Sequence, residues 1–360
     1  MSFLDIKDVR IAGIATALPK TVVRNADLLA AEGKKKEEID GFIDQVGIIE
    51  RRESQRLTAT DLGCEAGEKL IADLGWEKSS IDAIIMVTIS PDYTLPVNAC
   101  ILQDRLGLSR ECYAQDLCMA CSGWVYGLSV IASLVSSGNA HRALLFTGDA
   151  RIHWGTGNDD LLFGHAISVT AVEFAEGADG FKFHFGTDGS GYDAVIMPKS
   201  GMRNISYEED YERKFSDVRN QCSKEGVMKG MDVFAFSITQ VPKSFKALEN
   251  KFGLKREDFD YVVLHQANMA INQRVVRKLG IDPAKAPTSL AYYGNTEASS
   301  IPATITSQLK GKIEQGKKKL LCCGFGTGLS WGTVALTTDN IVISDTIEVE
   351  ENRFDDIKWV

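Results

Sequence analysis

Apolar residues along the chain fall into two kinds of run. The first is short and nearly unbroken: Val9 to Ala15 leading to Leu18-Pro19, Ile81 to Val87, Ala143 to Gly148, Phe259 to His265, Lys319 to Cys323 and Trp331 to Thr337. Runs of this length predict strands, several buried on both faces as in a parallel sheet. The second kind repeats every three or four residues. Leu62, Ala66, Leu70 and Leu74 do so within Thr58 to Leu74, and Trp124, Leu128, Ile131 and Val135 do so before Ser136-Ser137-Gly138-Asn139. Those spacings predict amphipathic helices, with stop chemistry after the latter. Further helices are expected over Asn98 to Leu106 and Ile271 to Leu279, and a short one capped by Asn25. Lys34 to Glu38 is a mixed charge run, read as a solvated face.

Strand and helix alternate, so the class is α/β. The order also repeats. Phe259 to His265 mirrors Ile81 to Val87, with Asp in second place, and Gly316 to Gly324 echoes Gly138 to Gly148. Echoes in the same order suggest an internal duplication. We therefore expect an N-terminal half over 1–176, a C-terminal half over 177–340 with a seam near Glu176 to Gly180, and an acidic tail over 341–360. In the tail, Ile341 to Ile343 and Ile357 to Val360 are candidates for short strands or for packing on a partner.

Composition excludes more than it assigns. The 360 residues are 44% hydrophobic and 25% charged, ordinary for a globular enzyme with a sizeable core. A net charge of −9 argues against nucleic-acid binding. Acids interrupt the first eight residues, and no apolar run reaches membrane-spanning length. A cytoplasmic location is expected, with the eight cysteines mostly reduced.

Chemistry concentrates at Asp116-Leu117-Cys118-Met119-Ala120-Cys121-Ser122-Gly123-Trp124. Cys121 falls where a strand turns into an apolar helix, and a helix N-terminus stabilises a thiolate. The site suits a nucleophile and equally a buried, inert cysteine. Cys118 and Cys121 form a CxxC, so a redox dithiol is an alternative; zinc would want a second matching pair, which adjacent Cys322-Cys323 supplies poorly. His265 ends a strand, where open α/β sheets place chemistry, and function is favoured over a satisfied core histidine. Asn295, in Gly294-Asn295-Thr296, reads by itself as a turn and cap. Gly324-Phe325-Gly326-Thr327-Gly328 continues into strand, so it is not a dinucleotide fingerprint; it reads as a hairpin or as a turn presenting N–H groups to a carbonyl oxygen. His153 and His165 are taken as surface or loop histidines. No metal or cofactor is expected.

Taken together, Cys121-Ser122-Gly123, His265-Gln266-Ala267-Asn268, Gly294-Asn295-Thr296 and Phe325 to Gly332 resemble the β-ketoacyl-acyl-carrier-protein synthase III family, over about Ile11 to Val334. The resemblance implies the thiolase fold, two duplicated α/β halves in an α-β-α-β-α core, and usually a homodimer. It implies an acyltransferase of fatty acid biosynthesis in which Cys121 accepts an acyl group from a thioester. The N–H groups of Cys121 and Thr327 would form an oxyanion hole. His265 and Asn295 would hold the carbonyl of a malonyl-type thioester during decarboxylation, and the carbanion would attack acyl-Cys121 to give a 3-oxoacyl thioester. Leu95, before Pro96, matches the position that reaches a partner's acyl pocket.

The sequence departs from the family at its coenzyme A contacts. Gly41 stands for the tryptophan that stacks on adenine, Gln45 and Ile49 for two arginines, and Ala270 for the arginine after the His-Gln-Ala-Asn motif. Gly164-His165-Ala166-Ile167-Ser168 replaces a Gly-Asp-Gly-Ala-Gly stretch. Acyl-carrier-protein thioesters are therefore expected as partners ahead of coenzyme A thioesters, docked on Arg274, Arg277 and Lys278 or on Lys243 and Lys246. Acyl transfer to an oxygen or nitrogen acceptor, and a non-catalytic partner subunit, stay open as alternatives.

Overall fold

The computed structural model describes residues 3–150, 161–198 and 226–354. Its strands, in chain order, are β1 Phe3–Ile6, β2 Val9–Pro19, β3 Val22–Arg24, β4 Glu50–Arg52, β5 Ala83–Val87, β6 Tyr113–Leu117, β7 Arg142–Asp149, β8 Ala166–Phe174, β9 Phe181–Thr187, β10 Val195–Ile196, β11 Val227–Met228, β12 Tyr261–Leu264, β13 Lys317–Gly326, β14 Ser330–Asp339, β15 Val342–Ile343 and β16 Ile347–Val349. The unbroken apolar runs become the central strands: every residue of β5 is buried, as are seven of the eight in β7.

Two sheets carry the fold. One has the order β15-β2-β8-β7-β5-β6, with β16 also on β2; the other has the order β1-β9-β14-β13-β12. Their pairings correspond. β5 lies parallel to β7, β7 antiparallel to β8, and β8 antiparallel to β2. In the second sheet β12 lies parallel to β13, β13 antiparallel to β14, and β14 antiparallel to β9.

Helices fill three layers around the sheets. Gly123–Ser136 and Ser300–Gln308 lie between them, in one core with Ile85, Val87, Val263 and Val334. Ala59–Leu74 and Asn98–Arg105 cover the outer face of the first sheet. Gly230–Phe252 and Met269–Leu279 cover the outer face of the second. That is the five-layer α-β-α-β-α arrangement.

The chain ends cross between halves. β1 pairs with β9 of the second sheet. β15 and β16, from the acidic tail, pair in parallel with β2 of the first. Ile341 and Ile343 are buried; the second expected cluster, 357–360, lies outside the described residues. Lys35 to Glu38 starts a helix, Lys36–Val46, where Glu38 accepts the Lys35 N–H.

Candidate active site

β6 ends at Leu117 and the inter-sheet helix begins at Gly123, so Cys121 sits in the strand-to-helix turn that the periodicity predicts. The glycine-rich end of β13 presses on this turn. A Cβ at Gly326 would lie 2.7 Å from Cys121 Cβ and 2.9 Å from Sγ; one at Gly324 would lie 2.9 Å from Ser122 Cα. Only glycines admit this approach. The contact is pinned by hydroxyls. Ser330 Oγ donates to Thr327 O at 2.6 Å, so Ser122 Oγ is the donor in its 2.7 Å bond to Ser330 Oγ.

The Cys121 thiol donates to Glu297 Oε2 at 2.8 Å. Burial first, then the Glu297 carboxyl, holds the thiol well above its ordinary range, although its own backbone N–H works the other way. The helix terminus was expected to lower this pKa. It is outweighed, because burial and an adjacent acid both penalise a thiolate.

His265 directly follows β12 and is 1% exposed. Its N–H donates to Cys323 O at 2.8 Å, and its carbonyl accepts from Asn272 Nδ2 at 3.1 Å. Nδ1 lies 2.7 Å from Ser300 Oγ, and Phe325 packs edge-on with ring centroids 5.3 Å apart. Burial pushes the imidazole down to about 3, against a backbone contact with Glu297. His265 is thus neutral at physiological pH, with one ring nitrogen a donor and the other an acceptor.

Asn295 is fixed through its backbone. Its N–H donates to Leu162 O at 2.8 Å, and its carbonyl accepts from Gly164 N–H at 2.9 Å. Its Oδ1 accepts the Glu297 N–H at 2.9 Å. With that oxygen engaged, the two protons of Nδ2 are the donors Asn295 can offer a carbonyl. Beneath this turn lies Arg51, 1% exposed. It donates to Asn25 Oδ1 at 3.1 Å and to Phe163 O at 3.3 Å, and pairs with Glu53. Asn25 therefore does not cap a helix. Arg24 takes the cap position without a side-chain bond, while Asn25 Nδ2 donates to Ile48 O and Leu161 O. A buried guanidinium claimed the amide that a surface turn would have used.

Cys121, His265, Asn295, Glu297, Phe325 and Thr327 line one cavity. The first three and Thr327 were singled out in the sequence. Glu297 was not, although it lies two residues after Asn295 in Gly294-Asn295-Thr296-Glu297; the signal was a lone acid in a run of small residues. It is 3% exposed with φ at 50°, a left-handed backbone that costs a non-glycine residue on the order of 1–3 kcal/mol. Burial, then the Asp149 charge, pushes its carboxyl up to about 8. Asp149, at the end of β7, is 2% exposed. Its Oδ1 accepts from Thr88 Oγ1, Ile89 N–H, Ser90 N–H and Ser90 Oγ at 2.6–3.1 Å. Its Oδ2 is buried with no partner among the described residues.

Other expected residues lie elsewhere. Leu95 is 80% exposed and does not line the Cys121 cavity of its own chain. Arg274, Arg277 and Lys278 are exposed on the Met269–Leu279 helix, where Lys278 Nζ donates to Ile238 O at 2.9 Å. Cys118 is exposed, and both it and Cys121 are free thiols. His165 is buried rather than on the surface, with Nδ1 accepting the Ser54 N–H at 3.1 Å. It points inward because its N–H joins Arg52 O at 2.8 Å beside β4. His153 lies outside the described residues. No helix among the described residues is long and apolar enough to cross a membrane.

Two α/β sheets around a helix pair, with a cysteine at the helix start, define a thiolase-fold condensing enzyme. The comparisons agree in detail. The family described as 3-oxoacyl-[acyl-carrier-protein (ACP)] synthase III matches residues 115–189, and its C-terminal part matches 249–338. The chain is 32% identical over 335 residues to a β-ketoacyl-[acyl-carrier-protein] synthase III of Streptococcus pneumoniae, covering 91% of this chain and 98% of that one. A 3-oxoacyl-(acyl-carrier protein) synthase from Burkholderia xenovorans LB400 superposes with a TM-score of 0.89 at 33% identity, over 96% of this chain and 99% of the other. That of Pseudomonas aeruginosa PAO1 gives 0.81 at 27%, over 93% and 100%. The chain belongs to the β-ketoacyl-acyl-carrier-protein synthase III family.

Proposed function

We propose that this chain condenses an acyl group held on Cys121 with a decarboxylated malonyl-type thioester, releasing a 3-oxoacyl thioester. The observation that carries this reading is one cavity lined by Cys121, His265 and Asn295, with Oδ1 of Asn295 already engaged by Glu297 N–H. Decarboxylation places negative charge on the extender's carbonyl oxygen. Asn295 Nδ2 and a neutral His265 N–H are then two fixed donors for it, and removing one such donor costs on the order of 10²–10³ in rate. Acylation splits the difficult bond formation into two easier steps. Cys121 and Thr327 N–H groups serve the acyl carbonyl in this scheme. Residues 1–176 and 177–340 act as two halves that supply the nucleophile and the donors, respectively.

The donor is read as a carrier-protein thioester. Gly41 carries no ring, and the space around it is open to at least 4 Å. Ile49 is exposed where a guanidinium would be needed. Loss of stacking and of charged donors weakens binding of adenine and phosphate. The exposed Leu95 fits a homodimer in which it enters the partner's acyl pocket. The test uses matched carrier-protein and coenzyme A thioesters. Mass gain on Cys121 followed by malonyl-dependent release of carbon dioxide supports the reading. Acylation with no such release sinks condensation, and faster labelling from coenzyme A sinks the carrier preference.

A further inference from the structure

We propose that Glu297 is the general base that removes the Cys121 thiol proton, with Asp149 as its positioning partner. This rests on the reading of Cys121 as the nucleophile. The geometry comes first: Sγ and Oε2 are 2.8 Å apart, within reach for direct proton transfer. The contact is built rather than incidental. Glu297 is held in a left-handed backbone conformation, anchored by its N–H on Asn295 Oδ1, and is 3% exposed. His265 is a poor candidate for the same task. The thiol's hydrogen bond goes to Glu297, the Nδ1 of His265 is engaged with Ser300 Oγ at 2.7 Å, and burial lowers its imidazole pKa.

The titratable groups facing this carboxyl from neighbouring elements are Cys121 from the strand-to-helix turn and Asp149 at the end of β7, while His265, after β12, meets the Glu297 backbone. Asp149 has four donors on one oxygen and none on the other, a carboxyl set firmly in place with one bare oxygen. Burial, and after it the Asp149 charge, raises Glu297 toward neutral pH, the range in which a general base is most effective.

The Sγ–H bond breaks, sulfur bonds to the thioester carbonyl carbon, and the proton passes to Oε2. When the tetrahedral centre collapses, the carbon–sulfur bond to the carrier breaks. The departing carrier thiolate then takes that proton from Glu297. The base is restored, and no oxidant or metal is required.

Two opposite outcomes separate this role from mere crowding. If Glu297 only repels a thiolate, Glu297→Gln makes Cys121 more reactive. If Glu297 is the base, the same change makes it less reactive. The experiment follows alkylation of Cys121 by iodoacetamide from pH 6 to 10, with peptide mapping to separate it from Cys118. In the unmodified chain the rate should climb about tenfold per pH unit and flatten near the Glu297 titration. Glu297→Gln should lose that limb and fall at least about tenfold at pH 8; an equal or faster rate overturns the proposal. Asp149→Asn, which leaves Glu297 in place, should move the midpoint down by about one pH unit, and an unmoved midpoint also overturns it. Thioester acylation is run on the same proteins. Normal alkylation behaviour with no acylation removes the condensation reading alone.

Discussion

Gly326 packs so closely on Cys121 that a Cβ there would sit 2.9 Å from Sγ. The backbone of β13 is therefore one wall of the Cys121 cavity. Gly326→Ala should push the thiol away from Glu297 and from the Thr327 turn. A displacement of about 1 Å can cost 10²-fold in rate, while overpacking costs about 1–3 kcal/mol in stability. Acylation of Cys121 should fall about 10²-fold with a modest drop in melting temperature. Gly41→Ala is the control: nothing lies within 4 Å of that Cβ.

Asn295 turns its two side-chain polar atoms to different uses in the proposed scheme. Its Oδ1 holds the buried Glu297 N–H at 2.9 Å, while Nδ2 is left for a carbonyl. Asn295→Ala strands that N–H, which costs about 1–3 kcal/mol. It also removes one donor from the decarboxylation step, about 10²–10³ in rate. Release of labelled carbon dioxide should collapse, while acylation of Cys121, seen by intact mass, falls less and only through the loosened Glu297. Equal loss of both steps would place Asn295 in acylation instead.

These two residues show what the sequence conveys and what it hides. The strands Ala83–Val87 and Arg142–Asp149 were legible because full burial demands unbroken apolar runs. Asn295 read as a turn residue, and it is one: it accepts the N–H two residues on, an Asx turn, while offering Nδ2 to the cavity. Glu297 was illegible as a site because its partner lies 176 residues away. Nothing local says that an acid in a small-residue run faces a thiol. Ile347–Val349 was hidden likewise. It was read only as part of the acidic tail, outside the two clusters marked as candidate strands, yet it pairs with Ala17 to Pro19 at the sheet edge.

Glu297 also sets a pH dependence of stability. Its folded pKa of about 8 lies above the ordinary 4.5. Between those values the folded chain keeps a proton that the unfolded chain releases, so this group makes stability fall as pH rises through that window. The penalty is small near pH 5 and complete above 8. Glu297→Gln abolishes it. The variant should melt close to the unmodified chain at pH 5 and several degrees higher at pH 9, measured by calorimetry. A lower melting temperature at pH 9 would show that the carboxylate is stabilised in the fold, contrary to its burial beside Asp149.

Carrier docking makes the last prediction. Arg274 and Arg277 are exposed on the Met269–Leu279 helix, and Met269 at its start touches the Lys36–Val46 helix region through Gly47. Lys278 is left unchanged in the test because its Nζ already donates to Ile238 O. Arg274→Glu with Arg277→Glu should leave the fold intact, since exposed charges contribute about 0–1 kcal/mol each. An acidic carrier protein would lose its electrostatic steering, which acts mainly on the association rate and weakens with salt. The expected result is a KM for the carrier-protein thioester raised about tenfold or more at low salt, a smaller effect at high salt, and a smaller effect still with the coenzyme A thioester. Equal losses with both donors would move the carrier's footprint off this helix and toward Lys243 and Lys246.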